Sequence, residues 1–415
     1  DFVRAVHAIF RVGGVVVPLD PDGSDTHTRL ERTDAVACCH HPAMTTAAET
    51  LADRLSGLVT VATDVAKDKD ITPAWTPTTE AAILFTSGTT GTAKGVRLTG
   101  RNLRASAEAS AYRLGVTPTD RWLDCLPAHH MGGFAPIVRT AVYGTTLYTQ
   151  RAFDVDTTAA CLDTHNITNI SVVPTMLKRL LAADWTPPAT LETVLVGGAP
   201  AAPDLLETAR ERDVPVYPTY GMTEAASQIA TATPTDVDTR PDTAGQPLIA
   251  IDVTVVADGE PAAPGEVGEL VVDGPAVSPG YLDPERTAAT HGTYGLRTGD
   301  RGYRDADGYL WVTGRVDELI VSGGVNVDPT AVADTLMTHS GVAAAAVVGV
   351  ADETWGERVC AAVVPTDGLD EETVRTHARE HLAPPEQPKD YALYETLPRT
   401  DSGTIDRAAL RERFD

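Results

Sequence analysis

The chain has 415 residues, 42% of them hydrophobic, and a formal net charge of −25 at pH 7. Its length predicts two to three domains with ample core. The acidic balance disfavours nucleic-acid binding because such a surface repels phosphate. No apolar run of about 18 residues occurs, so no membrane-spanning helix is expected, and no signal peptide is visible.

The charged residues are unusual in kind as well as number. Only five of the 33 basic residues are lysines, and the acids are dispersed along the whole chain. Dispersed acids favour adaptation to high salt over the alternative, an acidic face for a basic partner. The five cysteines include no CxxC pair, and their odd number favours a reduced, cytoplasmic setting.

A buried strand is predicted over Ala81–Phe85, and a loop rich in glycine and threonine follows it. The loop reads Thr86-Ser87-Gly88-Thr89-Thr90-Gly91-Thr92-Ala93-Lys94-Gly95. Its glycines let backbone N–H groups turn toward an anion, its hydroxyls donate hydrogen bonds, and Lys94 supplies charge. It is not a Walker loop, because Ala93 precedes the lysine. We therefore expect a nucleotide phosphate site rather than the alternative, a flexible linker.

Alternating strands and helices are predicted downstream. Strands are expected over Asn169–Val173 and Thr193–Val196, and helices over Thr175–Ala183 and Pro203–Arg212. Short apolar runs that alternate with amphipathic stretches are typical of a layered α/β domain.

A β-rich section is predicted between about residues 249 and 313, where strand-like runs alternate with Gly, Pro and Asp turns. These runs are Ile251–Val256, Val267–Val272 and Tyr309–Val312. The last section predicts a small α+β domain, with helices over Val327–Thr338, Glu371–His381 and Ile405–Phe414 and strands over Ala343–Val350 and Arg358–Val364.

Motifs spread in order along nearly the whole chain resemble those of the acyl-adenylate-forming (AMP-binding) superfamily, which includes acyl-CoA synthetases, luciferases and peptide-synthetase adenylation domains. They are AVHAIFRVGGVVVPLD (Ala5–Asp20), the glycine/threonine loop, LPAHHMGG (Leu126–Gly133), LVGGAP (Leu195–Pro200), YPTYGMTEAASQIAT (Tyr217–Thr231), TGD (Thr298–Asp300), GRVD (Gly314–Asp317) and SGG (Ser322–Gly324). The resemblance implies a large domain over residues 1–314, lacking the family's first several dozen residues and containing the β-rich subdomain at about 249–313. A hinge at 315–317 and a small mobile C-terminal domain over 318–415 complete the expected α/β architecture.

The resemblance also implies a binding site for ATP and Mg²⁺. The expected ATP contacts are Thr86, Ser87, Gly88, Thr89, Thr90, Gly91, Lys94, Gly198, Ala199, Pro200, Tyr220, Gly221, Met222, Thr223, Asp300 and Arg315. The Tyr220 ring can stack on adenine, and the Asp300 carboxylate can accept bonds from both ribose hydroxyls. Glu224 and Thr86 are expected to contact Mg²⁺, since a hard carboxylate suits this ion.

Two further sites are implied for the other substrates. His130, Gly197, Gly198 and Ser227 are expected beside the acyl substrate, and Ser322, Gly323 and Gly324 beside the coenzyme A tunnel. Asp317 matches the hinge about which the small domain rotates. Lys94, His130, Thr223 and Glu224 are the implied catalytic residues.

The implied reaction is the ATP-dependent, AMP-forming ligation of a small carboxylic acid to coenzyme A. TEAASQ (Thr223–Gln228) resembles the TETASQ of 2-succinylbenzoate–CoA ligases of menaquinone biosynthesis, which favours that substrate. A CoA ligase for another aryl or fatty acid and a peptide-synthetase adenylation domain are the alternatives. The oligomeric state, monomer or homodimer, stays open.

One position departs from the family pattern. LPRTDSGTIDR (Leu397–Arg407) has Thr404 where the family usually has a lysine that bridges carboxylate and phosphate. Loss of a preorganised charged donor typically costs about 10²–10³ in rate. Slow adenylation, a substitute cation such as Arg407, and a non-catalytic nucleotide or acyl binder are the three explanations.

Overall fold

The computed structural model describes residues 1–20, 23, 26–54, 59–62, 76–86, 93–183, 185–366, 368–399 and 405–415. The helices are α1 (Phe2–Arg11), α2 (Thr26–Glu31), α3 (Thr45–Arg54), α4 (Gly100–Leu114), α5 (Met131–Tyr143), α6 (Val155–Thr164), α7 (Pro174–Ala182), α8 (Pro203–Glu211), α9 (Pro234–Thr239), α10 (Pro284–Thr290), α11 (Pro329–Met337), α12 (Glu371–His381) and α13 (Arg407–Phe414), with short 3₁₀ turns at Pro42–Met44 and Thr223–Ala225.

The strands of the described residues fall into five sheets. They are β1 (Ala37–His40), β2 (Val59–Ala62), β3 (Glu80–Thr86), β4 (Lys94–Thr99), β5 (Arg121–Asp124), β6 (Thr146–Thr149), β7 (Asn169–Val172), β8 (Thr193–Val196), β9 (Val216–Met222), β10 (Ser227–Thr231), β11 (Gln246–Pro247), β12 (Asp252–Ala257), β13 (Glu260–Pro261), β14 (Gly268–Asp273), β15 (Gly280–Tyr281), β16 (His291–Gly292), β17 (Gly295–Arg304), β18 (Leu310–Arg315), β19 (Ile320–Ser322), β20 (Val325–Val327), β21 (Val342–Asp352), β22 (Gly356–Pro365) and β23 (Asp390–Leu393).

A seven-stranded sheet in the order β11-β10-β9-β8-β7-β5-β6 forms the centre of the first compact unit. Strands β5 to β9 pair in parallel, whereas β10 and β11 add antiparallel edges. The predicted strands at β7 and β8 and the helices α7 and α8 lie within one or two residues of their expected bounds. The α/β class is therefore confirmed.

The apolar core of this sheet explains the helix positions. On α7, Leu177 and Leu180 are fully buried against Ile170 of β7 and Val194 of β8. Residues three apart on a helix lie on one face, so this spacing packs α7 onto the sheet. Burial of each leucine stabilises the fold by roughly 1.5–3 kcal/mol.

The second compact unit contains a five-stranded sheet, in which β20-β19-β22-β21 are neighbours and β23 pairs with β22. The three predicted C-terminal helices and both long strands are present as α11, α12, α13, β21 and β22. Helix α11 begins at Pro329 because the Asp328 carboxylate accepts the Thr330 and Ala331 N–H groups. An aspartate cap followed by proline is a typical helix start.

The described residues form two compact units. The first unit is Asp1–Thr254, Val271–Arg297 and Gly308–Leu310, and the second is Val255–Leu270, Thr298–Asp307 and Trp311–Asp415. The β-rich section forms a sheet in the order β13-β12-β14-β17-β16, with β18 on β17. Strands β12, β14, β17 and β18 each contain residues of both units. The domain bounds 1–314 and 318–415, the β-rich subdomain at about 249–313 and the hinge at 315–317 stay predictions.

Within the described part of the chain, no helix is both long and apolar enough to cross a membrane.

Candidate active site

The two ends of the glycine/threonine loop lie side by side. Strands β3 and β4 pair antiparallel with Thr86 opposite Lys94, and the five residues before Thr86 are buried as predicted. Ser87, Gly88, Thr89, Thr90 and Gly91 lie outside the described residues. The described geometry therefore holds a hydroxyl and an ammonium group at the base of the predicted phosphate site.

Glu224 is fixed by a strand that also contacts the loop sheet. The residue is 6% exposed, and the Tyr281 hydroxyl donates a 2.8 Å hydrogen bond to its Oε1. Tyr281 belongs to β15, which pairs with β4 through Val96. One carboxylate oriented by a neutral donor fits Mg²⁺, which keeps water and substrate phosphate as its other ligands.

The backbone at the TEAASQ motif takes an unusual path. Ala226 and Ser227 have φ values of 52° and 122°, and a side chain at Gly221 would meet the Ser227 carbonyl oxygen at 1.9 Å. Only glycine fits at 221, and a positive φ at a residue with a side chain stores strain typical of functional turns. The Ser106 hydroxyl holds this turn by donating to the Ala226 carbonyl at 2.7 Å.

Gln228, at the end of the same motif, has a structural role. Its side chain is buried, accepts a 2.6 Å bond from the Ser110 hydroxyl of α4 and donates a 2.7 Å bond to Thr231 Oγ1. A satisfied buried polar network specifies one arrangement of its members. The network therefore fixes β10, and with it the strained turn, against α4.

The LVGGAP motif lies at the carboxyl end of β8. A side chain at Gly197 would come within 2.7 Å of Thr219 Cγ2, and Gly198 has a φ of 81°. Thr219 directly precedes Tyr220 on the neighbouring parallel strand β9. The structure thus brings two predicted nucleotide-binding segments together at the sheet edge where α/β folds bind ligands.

His130 directly precedes α5 as its N-cap residue and lies beside a second histidine. The two ring centroids are 4.3 Å apart, and His129 Nε2 is 4.0 Å from Asp20 Oδ2 of the VPLD segment. Loss of hydration, followed by the nearby His129 and Arg29, lowers the pKa of His130 below its usual value. The lowered pKa favours the neutral imidazole, the form that suits the predicted position beside the acyl substrate.

The second unit brings the predicted ribose-binding residues together. Arg315 Nη1 donates to Asp300 Oδ1 at 2.7 Å, and Arg315 Nε donates to Asp317 Oδ1 at 2.8 Å. Gly299 has a φ of 75°, and a side chain there would meet the Arg315 guanidinium at 2.9 Å. Glycine at 299 is thus required for Arg315 to reach its partner. Burial lowers the pKa of Arg315, but the hydrogen bond that it donates to Asp317 and the charges of Asp300, Asp317 and Glu318 outweigh this effect, so the pKa is raised overall.

The predicted coenzyme A residues form the turn between β19 and β20. Gly323 and Gly324 have φ values of 60° and 80°, and Ser322 pairs with Val325. Ser322 is fully buried, and its Oγ has no hydrogen-bond partner among the residues that the structure places.

Family models match both parts of the chain. Residues 1–282 match the family described as "AMP-binding enzyme", and residues 331–404 match "AMP-binding enzyme C-terminal domain". The chain belongs to the AMP-binding enzyme family. The motif-based expectation of this family is confirmed.

Named members of the AMP-binding enzyme family are similar over almost the whole chain. A Bacillus thuringiensis subsp. konkukian protein named 2-succinylbenzoate–CoA ligase is 36% identical over 415 residues, which is 99% of this chain and 86% of the relative. O-succinylbenzoate CoA synthetase (MenE) from Bacillus subtilis, in complex with the acyl-adenylate intermediate OSB-AMP, has a TM-score of 0.89 at 33% identity and covers 99% and 85% of the two chains. The same enzyme with ATP and a magnesium ion gives 0.86 at 32% identity, over 99% and 86%.

The unusual position of this AMP-binding enzyme, Thr404, lies outside the described residues. Arg407, the substitute cation considered above, is described. Its Nη2 lies 3.0 Å from Glu318 Oε2. Arg407 therefore neutralises a carboxylate of its own unit, which weakens its case as a replacement for the lysine.

Arg139 is a candidate functional residue that the motifs did not reveal. It lies on α5, is 2% exposed, and its Nε and Nη2 have no hydrogen-bond partner within the described ranges. Burial lowers the pKa of this arginine. The available signal was an arginine inside the apolar helix MGGFAPIVRTAVY. A buried cation with unused donors is suited to a carboxylate ligand.

Proposed function

We propose that the chain catalyses the ATP-dependent ligation of 2-succinylbenzoate to coenzyme A, with AMP and pyrophosphate as the other products. The named relatives support this substrate, since the Bacillus thuringiensis protein is called 2-succinylbenzoate–CoA ligase and the structure of the Bacillus subtilis enzyme was solved in complex with OSB-AMP. The observation within this chain that carries the substrate is the buried Arg139, whose Nε and Nη2 have no hydrogen-bond partner among the described residues.

Arg139 fits an acid that carries two carboxylates. It lies nine residues after His130, and α5 packs in one apolar cluster with Ala226 of the strained turn. One carboxylate of the substrate is adenylated, and the second is bound by the Arg139 guanidinium, which a monocarboxylic acid would leave unpaired.

The reaction proceeds in two steps. The substrate carboxylate attacks the α-phosphorus of ATP in line, and pyrophosphate leaves. The coenzyme A thiolate then attacks the acyl carbon, and AMP leaves. The protein contributes mainly positioning and charge. Lys94 and Thr223 bind phosphate oxygens, Tyr220 stacks on adenine, and Asp300 with Arg315 binds ribose.

Mg²⁺ would be held by Glu224 and Thr86 and would neutralise phosphate charge. The hydrogen bond from Tyr281 orients the Glu224 carboxylate for this role. Asp317 is the hinge, and Ser322, Gly323 and Gly324 line the path of coenzyme A in this proposal.

The amino-acid composition supports a proposal for the cellular compartment and for the salt concentration at which the enzyme works. We place the enzyme in the cytoplasm, in keeping with the free thiols of Cys38, Cys39, Cys125, Cys161 and Cys360. The net charge of −25 supports adaptation to high salt.

The proposal is tested with purified protein, ATP, Mg²⁺ and coenzyme A against 2-succinylbenzoate, benzoate, coumarate and octanoate. We expect the thioester of 2-succinylbenzoate to form far faster than the others. Equal rates across the panel would exclude the narrow assignment. Glu224→Gln serves as the inactive control, and the exposed Glu207→Gln on α8 as the matched neutral one.

The same assay on Thr404→Lys tests the departure from the family pattern. A gain of about 10²–10³ in the adenylation rate is expected if the missing lysine limits that step. An unchanged rate would show that another cation already performs its role.

A further inference from the structure

A contact between distant segments holds the end of the glycine/threonine loop. Arg32, which follows α2, donates a 2.6 Å hydrogen bond from Nη1 to the carbonyl oxygen of Ala93. Ala93 is the residue directly before Lys94. Hydrogen bonds from a charged donor are stronger than those between neutral groups. The bond from Arg32 therefore fixes the orientation of the peptide group that links Ala93 to Lys94.

A second contact joins the same arginine to the other end of the loop. Phe85 is 3% exposed and directly precedes Thr86, and its ring centroid lies 5.7 Å from Arg32 Cζ and 5.6 Å from Arg29 Cζ. Cations within about 6 Å of an aromatic ring are attracted by its quadrupole. Because Thr86 and Lys94 are opposed in the β3–β4 ladder, both ends of the loop share one anchor.

The charge around this anchor is unusual for so acidic a chain. Arg32 contacts the residue directly before Lys94, which is one of only five lysines in the chain. Burial is the main cause that lowers the pKa of both His129 and His130, and the charge of the nearby Arg29 adds to it, whereas the Asp20 carboxylate acts in the opposite direction on both. A cationic group of arginines therefore lies beside the proposed phosphate and acyl sites.

We propose that Arg32 is a positioning residue for ATP, which holds Ala93 so that Lys94 meets the β- and γ-phosphates, with Arg29 steadying the shared Phe85 ring. This inference rests on the proposed nucleotide-binding function. It assigns a role in the phosphate site to two residues outside the motifs that identified the family.

The test compares ATP with AMP, because AMP lacks the two phosphates in question. In the 415-residue chain, Arg32→Met is expected to raise the Kd for Mg²⁺-ATP about 10-fold or more and to change the Kd for AMP less than about 2-fold. Arg32→Lys, which retains charge without the planar fork, is expected to fall between wild type and Arg32→Met. Arg104→Met on the exposed face of α4 is the matched control and is expected to leave both affinities unchanged.

Equal changes in the Kd for ATP and AMP, or no change in either, would overturn the proposal. If Arg32→Met fails to fold, Arg32→Lys decides by the same comparison. Nucleotide binding is measured without the acid or coenzyme A. A wild type that binds ATP but forms no thioester would therefore count against the proposed function alone.

Discussion

Replacement of Arg139 by methionine is expected to change stability and activity in opposite directions. Two of its guanidinium nitrogens are buried without a hydrogen-bond partner in the described structure. Each unsatisfied buried donor costs about 1–3 kcal/mol, and even a buried ion pair can often be replaced by apolar side chains of similar volume with a gain of about 1–4 kcal/mol. We therefore expect Arg139→Met to raise the free energy of unfolding of the substrate-free protein by about 1–4 kcal/mol.

The effect on the diacid substrate has the opposite sign. Truncation of one member of a buried, hydrogen-bonded charge pair costs about 2–5 kcal/mol. The kcat/KM for 2-succinylbenzoate should then fall between about 30-fold and a few thousand-fold. An analogue that lacks the carboxylate bound by Arg139 should be used equally well by variant and wild type.

Urea unfolding and steady-state kinetics on 2-succinylbenzoate and on its two analogues, each lacking one carboxylate, measure both effects. Arg139→Lys is the control, because it keeps the charge without the planar fork. A destabilised Arg139→Met protein, with activity lowered to the same degree for every acid, would show that Arg139 is structural and refute the reasoning.

Three further predictions follow, two from the structure and one from the charge composition. Burial raises the pKa of Asp124 to about 7, so between about pH 4 and 7 the folded chain keeps a proton on this carboxyl group that the unfolded chain has lost. The free energy of unfolding therefore falls as the pH rises through this range. Asp124→Asn should therefore be more stable than wild type by up to about 4 kcal/mol at pH 8 but not at pH 3.5, as judged by urea unfolding, and an equal gain at both pH values would contradict this. Tyr281→Phe removes the donor to Glu224 and should raise the Mg²⁺ concentration for half-maximal activity about 10–100-fold, whereas an unchanged requirement would separate Tyr281 from the metal site. Activity and Tm should rise as KCl approaches molar levels, and a maximum near 0.1 M, where the Debye length is already about 10 Å, would argue against adaptation to high salt.

Local patterns predicted the helices and strands well where the chain buries one face. β8 matches its predicted bounds, α12 also matches, and α7 and α11 differ by one or two residues. Helix starts were misjudged where an aspartate cap ended the preceding strand or turn, as Asp328 does for α11. The unit division was not predictable from local patterns, because it depends on which strands pair across the β-rich section.

In the candidate site, too, local sequence motifs predicted some residues, whereas others depend on contacts between distant segments. The order of the motifs identified Thr86, Lys94 and Glu224 as candidate site residues, and these assignments stay predictions. The roles of Arg139, Arg32 and Tyr281 depend instead on burial and on contacts between segments far apart in sequence. An arginine within an apolar helix is a sequence pattern that could have indicated the role of Arg139. The Arg32–Ala93 contact joins two distant segments, so neither segment alone predicts it.

The exchange of labelled pyrophosphate into ATP tests the central claim most directly, because it reports adenylation without coenzyme A. The account predicts exchange that requires Mg²⁺ and a carboxylic acid and is fastest with 2-succinylbenzoate. Nucleotide binding without exchange for any acid in the panel would contradict it and would identify the chain as a non-catalytic member of its family.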